Sequence, residues 1–199
     1  MHMPTEEHYN QLKRILRYIK GTIIYGLQFY KGSSQIIAFS DVDWAGDSQD
    51  RISTGGYCVY IGQNIVSWLG KKQPTVARSS TEAEYKALAN AASKVLWTIQ
   101  VMKDLKKFDT NYMTKIWCDN NSAIALATNP VFHARTKHVE VDFHFVRVKI
   151  ANKQLQVNHV PTEFQKADIF TTISRFEFLG DKLQLQEPQV SLRGDVKDT

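Results

Sequence analysis

Residues 77–97 read ARSSTEAEYKALANAASKVLW and hold two glutamates, Glu82 and Glu84, one alanine apart. A helix turns about 100° per residue, so the two point in different directions. With Leu88 as origin, Ala92, Val95, Ile99, Met102 and Leu105 fall within roughly 40° and form an apolar stripe. Glu84 falls inside that stripe, and Glu82 lies on the polar side with Lys86 and Ser93. A carboxylate aimed at an apolar layer is costly unless a positive or hydrogen-bonding group meets it. A capping box, Thr81-x-x-Glu84, is the competing local use of the same acid.

Further acids stand at the ends of other expected elements. Asp41 closes a strand in FSDVDWAGD, with Asp43 on the same side. Asp119 closes another in WCDNNSA, and Asp168 opens the last helix in PTEFQKADIF. Asp119 also has the position of an N-cap for a helix starting at Asn121, and Asp168 that of a first-turn dipole residue. Four carboxylates from four elements, Asp41, Glu84, Asp119 and Asp168, could converge. Like charges at that range repel, and divalent cations resolve the conflict. Mg²⁺ takes carboxylate and water oxygens, and an ion pair about 4 Å apart clamps both oxygens of a phosphodiester displacement.

The elements that must position these acids follow from period and punctuation. Residues 4–20 read as a helix that Pro4 and Thr5 start and Gly21 ends, with Leu12, Ile15, Leu16 and Ile19 on one face. Residues 25–34 read as a short strand. Strands then begin at Gln35, Gly55 and Ile65, the last two joined by a tight turn at Gly62. A long helix over 81–105, a strand over 114–120, a short helix over 121–127, a helix over 137–153, a strand over 155–161 and a helix over 163–183 complete the order. Consecutive strands make an antiparallel meander, and strands reached through helices add in parallel. The expectation is an α/β domain: a mixed five-stranded sheet with helices on both faces. Its bounds are 35–184, between a segment at 1–34 and a mobile tail at 185–199.

The chain has 199 residues and a formal net charge of +5, which suits a polyanionic partner without requiring one. Its two cysteines, Cys58 and Cys118, give neither zinc spacing nor a disulfide framework, so a reducing, intracellular compartment is the default. His133, His138 and His144 fit no standard zinc pattern. No apolar run reaches the ~20 residues that span a bilayer. Lys71, Lys72 and Arg78 precede the long helix, and Arg135, Lys137 and His138 precede a later one; both clusters suit phosphate contact. Trp44, Trp68 and Trp117 are expected in the core.

The stretches SDVDWAGDSQDRISTGGYCVYIG, SWLGKKQPTVARSSTEAEYKAL, IWCDNNSAIALATNPVFHARTKHVEVDFHFVR and VNHVPTEFQKADIFT closely resemble the ribonuclease H domain of plant copia-type LTR retrotransposon Pol polyproteins. The resemblance runs from about residue 36 to 183. Residues 3–22 resemble the connection segment that follows the reverse transcriptase in such polyproteins, which makes the polymerase portion of Pol an expected partner. The resemblance implies a ribonuclease H fold and two Mg²⁺ ions, with Mn²⁺ as a substitute. The implied ligands, which are also the implied catalytic residues, are Asp41, Glu84, Asp119 and Asp168. It implies hydrolysis of the RNA strand of an RNA–DNA hybrid, with Glu82 left as a surface or capping acid. The family usually has a lysine after ADIFT, where this chain runs on through Thr171 and Thr172, and Ile52 stands where a lysine is usual. The competing class is a catalytically silent copy that binds nucleic acid or protein.

Overall fold

The computed structural model describes residues 3–23, 26–106, 113–129 and 140–172. Backbone contacts divide them between two compact units, with the boundary after Gln28. In the first unit, α1 (Glu6–Thr22) starts at Thr5, whose hydroxyl accepts from the His8 amide while the His8 ring accepts from the Thr5 amide. Its apolar stripe at Leu12, Ile15, Leu16 and Ile19 is about half exposed.

The second unit is built on a five-stranded sheet in the order β3-β2-β1-β4-β5. The strands are β1 (Ile36–Asp43), β2 (Thr54–Ile61), β3 (Asn64–Lys72), β4 (Thr114–Cys118) and β5 (Leu155–His159). β1, β2 and β3 pair antiparallel, while β4 joins β1 and β5 joins β4 in parallel. Gly62, at φ +59°, turns β2 into β3; a Cβ there would also lie 2.5 Å from the Ser33 carbonyl oxygen. The strand expected over 25–34 does not form among its described residues beyond a single bridge at Gly26. At Tyr30 the backbone N–H and C=O are both taken by the Asn64 side-chain amide, at 2.7 and 2.8 Å, in place of a neighbouring strand.

Strand alternation gives the sheet its faces. Ile36, Ala38, Val59, Ile116 and Leu155 join the core with α2 (Ser80–Asp104), α3 (Asn121–Thr128) and α4 (Glu140–Ala151). Leu88, Ala92, Val95 and Ile99 of the α2 stripe are buried, whereas Leu105, past the helix end, is exposed. Ala83, Ala87 and Ala91 are buried as well, and their small side chains let the helix lie close to its neighbours. Tyr85 meets Phe143 of α4 with ring centroids 4.2 Å apart.

The tryptophan expectation fails at two positions: Trp44 and Trp68 are half exposed. Trp44 is held by its indole N–H on the Ala77 carbonyl, and Trp68 lies on β3, the edge strand of the sheet among the described residues. Trp117 stacks on Phe39. The helix expected from Glu163 is also corrected over its described part. Residues 162–172 form two short 3-10 turns, Thr162–Phe164 and Ala167–Phe170, separated at Gln165 by extended backbone. The Gln165 side chain explains the break, because its amide donates to the Ser40 carbonyl and accepts from the Ala167 N–H, tying the segment to β1 instead of continuing a helix. No helix among the described residues is long and apolar enough to cross a membrane.

Candidate active site

The two glutamates have opposite surroundings. The helix begins one residue earlier than the sequence pattern suggested, with Ser79 as N-cap accepting from the Glu82 amide. Glu82 is therefore the third helical residue, and its carboxylate accepts from the Arg78 amide and pairs with Lys86 at 2.9 Å. The capping acid is Glu82, not Glu84, and Glu82 is buried rather than turned to water. The correction has a simple cause: its i,i+4 partner Lys86, itself largely covered, supplies the charge that lets it leave solvent.

Glu84, two residues on, faces the strand ends. It is buried, and its Oε2 meets no hydrogen-bond partner. Burial, then the charges of Asp41 and Asp119, push its carboxyl up from 4.5 to about 9. Asp41 sits near the end of β1, opposite Gly56 of β2. Burial raises it to about 6; the Thr171 hydroxyl opposes that rise, and the charges of Asp119 and Asp168 add to it. Asp119 follows β4 directly. It is not the cap of α3, because Asn120 takes that role by accepting from the Ala123 amide at 3.0 Å. One Asp119 oxygen accepts from the Thr162 hydroxyl, and the other, Oδ1, is buried without a partner. Asp168, in the second 3-10 turn, accepts from the Thr172 hydroxyl at 3.0 Å.

The chain thus brings Asp41, Glu84, Asp119 and Asp168 into one electrostatic cluster, from β1, α2, the end of β4 and the turn after β5. Asp43 is not brought in. Its carboxylate lies against Gly46, where a Cβ would stand 1.9 Å from Oδ2.

The donor set fits a hard divalent cation. Ligand atoms of Glu84, Cys118 and Asp119 lie within 4.8 Å of one another, and two buried carboxylate oxygens there lack any donor. Cys118 is the odd member. Burial pushes its thiol up, and its S–H donates weakly to the Asn120 carbonyl. The carboxylate oxygens beside it are hard donors, which suit Mg²⁺ or Mn²⁺.

Of the basic residues expected at phosphates, Lys71, Lys72 and Arg78 are exposed. Lys72 is engaged by Asp47 and Asp50 across a surface turn. Arg135, Lys137 and His138 lie outside the described residues. The sequence reading missed Thr162, Thr171 and Thr172 as partners of the aspartates, and Gln165 as the tie to β1. Of these, only Thr172 carried a signal, since it stands after ADIFT where the family usually has a lysine.

The sheet order, the helices on it and the carboxylates at the ends of β1 and β4 define a ribonuclease H-like α/β protein. The N-terminal ribonuclease H domain of a Mycobacterium tuberculosis protein, solved as a fusion with maltose-binding protein, matches 76% of this chain and 97% of that one, with a TM-score of 0.50 and 9% identity. The particular relatives are found by sequence. The chain is 46% identical over 180 residues to the retrovirus-related Pol polyprotein from transposon RE2 of Arabidopsis thaliana. It is 48% identical over 180 residues to that from transposon RE1 of the same plant. Each match takes in 89% of this chain and 12% of the relative, so the chain spans a small part of these polyproteins. A third such polyprotein, from transposon TNT 1-94 of Nicotiana tabacum, is 35% identical over 85% of this chain and 13% of its own length. No family model matches the sequence. The chain is a homologue of the retrovirus-related Pol polyproteins of plant transposons, over a segment with the ribonuclease H-like fold.

Proposed function

We propose that the chain is a metal-dependent ribonuclease H that hydrolyses the RNA strand of RNA–DNA hybrids, with Asp41, Glu84, Asp119 and Asp168 as its metal ligands. The observation that carries the reading is a carboxylate cluster in which Asp41 and Glu84 are buried and pushed up, and in which Glu84 and Asp119 each have a buried oxygen without a partner. Protein stability does not favour such a cluster, whereas cation binding does. Two divalent ions held there would neutralise the cluster and supply Lewis-acid activation of water and of the departing 3′ oxygen.

The chain's own residues do the rest. Asp41 feels the charges of Asp119 and Asp168 and is itself felt by Glu84, which supports a role as a shared ligand. Glu84 keeps its proton in the metal-free protein and must ionise to serve as a ligand. Lys71, exposed at the end of β3, and Arg78, exposed just before α2, are suited to backbone phosphates, and the 2′-hydroxyl distinguishes the RNA strand. In an intact polyprotein, the segment at 1–34 would connect the nuclease at 35–184 to the reverse transcriptase, which would contribute hybrid affinity.

The test is cleavage of a labelled hybrid by the purified chain. Mg²⁺-dependent cutting of the RNA strand is expected, with none in EDTA and none by Glu84→Gln. A folded chain that leaves the hybrid intact at all Mg²⁺ and Mn²⁺ concentrations would refute the reading.

A further inference from the structure

The three aspartates of the cluster share a feature that Glu84 lacks. Each has a carboxylate oxygen on a threonine hydroxyl: Asp41 on Thr171 at 2.5 Å, Asp168 on Thr172 at 3.0 Å and Asp119 on Thr162 at 3.1 Å. All three threonines come from the ten-odd residues after β5, so one short segment reaches every aspartate. Thr171 is buried and its hydroxyl also lies 3.0 Å from the Asp168 carbonyl oxygen, so it bridges two of the acidic positions.

The sheet is shaped to admit this segment. Gly56 of β2 and Gly70 of β3 are register partners. A Cβ on Gly56 would lie 2.8 Å from Thr171 Cγ2 and 3.0 Å from Phe170 Cβ, and one on Gly70 would lie 2.4 Å from the Phe170 carbonyl oxygen. The paired glycines thus form a slot in which the Ala167–Phe170 turn rests on bare backbone. From that slot Thr171 reaches Asp41, which is itself paired with Gly56 across β1 and β2.

We propose that Thr171, Thr172 and Thr162 are positioning residues that fix the three aspartates for metal binding, with Thr171 the principal one. The proposal rests on the metal-dependent reading of the cluster. A carboxylate free to rotate must be ordered when the cation arrives; one already held by a hydroxyl has its orientation set. The hydroxyl takes a single lone pair, so it does not exhaust the carboxylate's capacity as a ligand. Threonine suits the task because its β-branched side chain has few rotamers, and the Thr171 methyl is wedged against Gly56.

The experiment measures Mn²⁺ binding to the full chain by calorimetry, with melting curves in EDTA as the folding control. Thr171→Val keeps the branched shape and removes the hydroxyl. It should weaken Mn²⁺ binding about tenfold, the usual cost of losing a group that orients a metal ligand. Thr171→Ser, which keeps the hydroxyl, should restore affinity toward that of the parent, and a purely steric role for Thr171 would not give that rescue. Thr172→Val and Thr162→Val, at more accessible positions, should each weaken binding as well. A folded Thr171→Val that binds Mn²⁺ as tightly as the parent overturns the proposal and leaves the metal-dependent reading standing. Should Thr171→Val not fold, unchanged affinity in both Thr172→Val and Thr162→Val overturns it equally. A folded parent that binds no Mn²⁺ overturns both.

Discussion

Replacing Glu84 with glutamine should stabilise the metal-free protein while abolishing cleavage. The size of the effect follows from linkage. The carboxyl rises from 4.5 in the unfolded chain to about 9 in the fold, mainly through burial and then through Asp41 and Asp119. A raised pKa favours folding fully below the unfolded value, and that contribution is lost as pH climbs toward the folded one. Each pH unit in between costs about 1.4 kcal/mol, so at pH 7 the parent has lost about 3 kcal/mol relative to pH 4.5. Glutamine loses nothing over that interval, and its amide can donate to the neighbouring Asp119 carboxylate. In EDTA at pH 7 the variant should therefore melt higher than the parent, by an amount on the order of 10 °C. The gap should close near pH 4.5 and widen toward pH 9. Mg²⁺ should raise the parent's midpoint more than the variant's, because it binds the assembled cluster of the parent. Glu82→Gln makes the contrast. It weakens a helix cap and a covered pair with Lys86, so it should lower the midpoint, costing about 1–2 kcal/mol, and retain cleavage. Melting curves of the three proteins from pH 4.5 to 9, with EDTA and with Mg²⁺, read all of this. A Glu84→Gln midpoint equal to or below the parent's in EDTA at pH 7, or a gap independent of pH, would refute the reasoning.

Asp119→Asn should leave α3 intact in EDTA melts and remove Mg²⁺-dependent stabilisation, whereas Asn120→Ala should cost about 1 kcal/mol through the lost cap. Gly70→Ala places a methyl against the Phe170 carbonyl, so it should destabilise by about 1–3 kcal/mol and weaken Mn²⁺ binding in calorimetry by displacing the turn that carries Asp168. In hybrid-binding titrations against salt, Lys71→Gln should reduce the slope by about one. Lys72→Gln should change the slope less, because Asp47 and Asp50 already engage that ammonium; equal changes would count against the assignment.

Much of the framework can be read from local pattern alone. Period-two strands, the glycine turn at Gly62 and the helical stripe of Leu88, Ala92, Val95 and Ile99 depend on neighbours a few residues away, and they set the succession of strands and helices and the inward aim of Glu84. Glu82 shows where that reading stops: its helical angle is on the polar side as expected, yet the covered Lys86 and the Arg78 amide take it out of water. Over its described part, the helix expected from Glu163 gives way to short turns because Gln165 bonds to Ser40, 125 residues earlier in the chain. Asp43 matches Asp41 in type and strand parity but folds back onto Gly46. The threonines on the aspartates and the glycine slot beneath them join positions as far apart as Asp41 and Thr171, separated by 130 residues. Amino-acid period fixes the direction in which a side chain leaves its own element; what it meets there is decided by segments distant in sequence, so only the packed structure determines which acids are compensated and which keep an unpartnered oxygen.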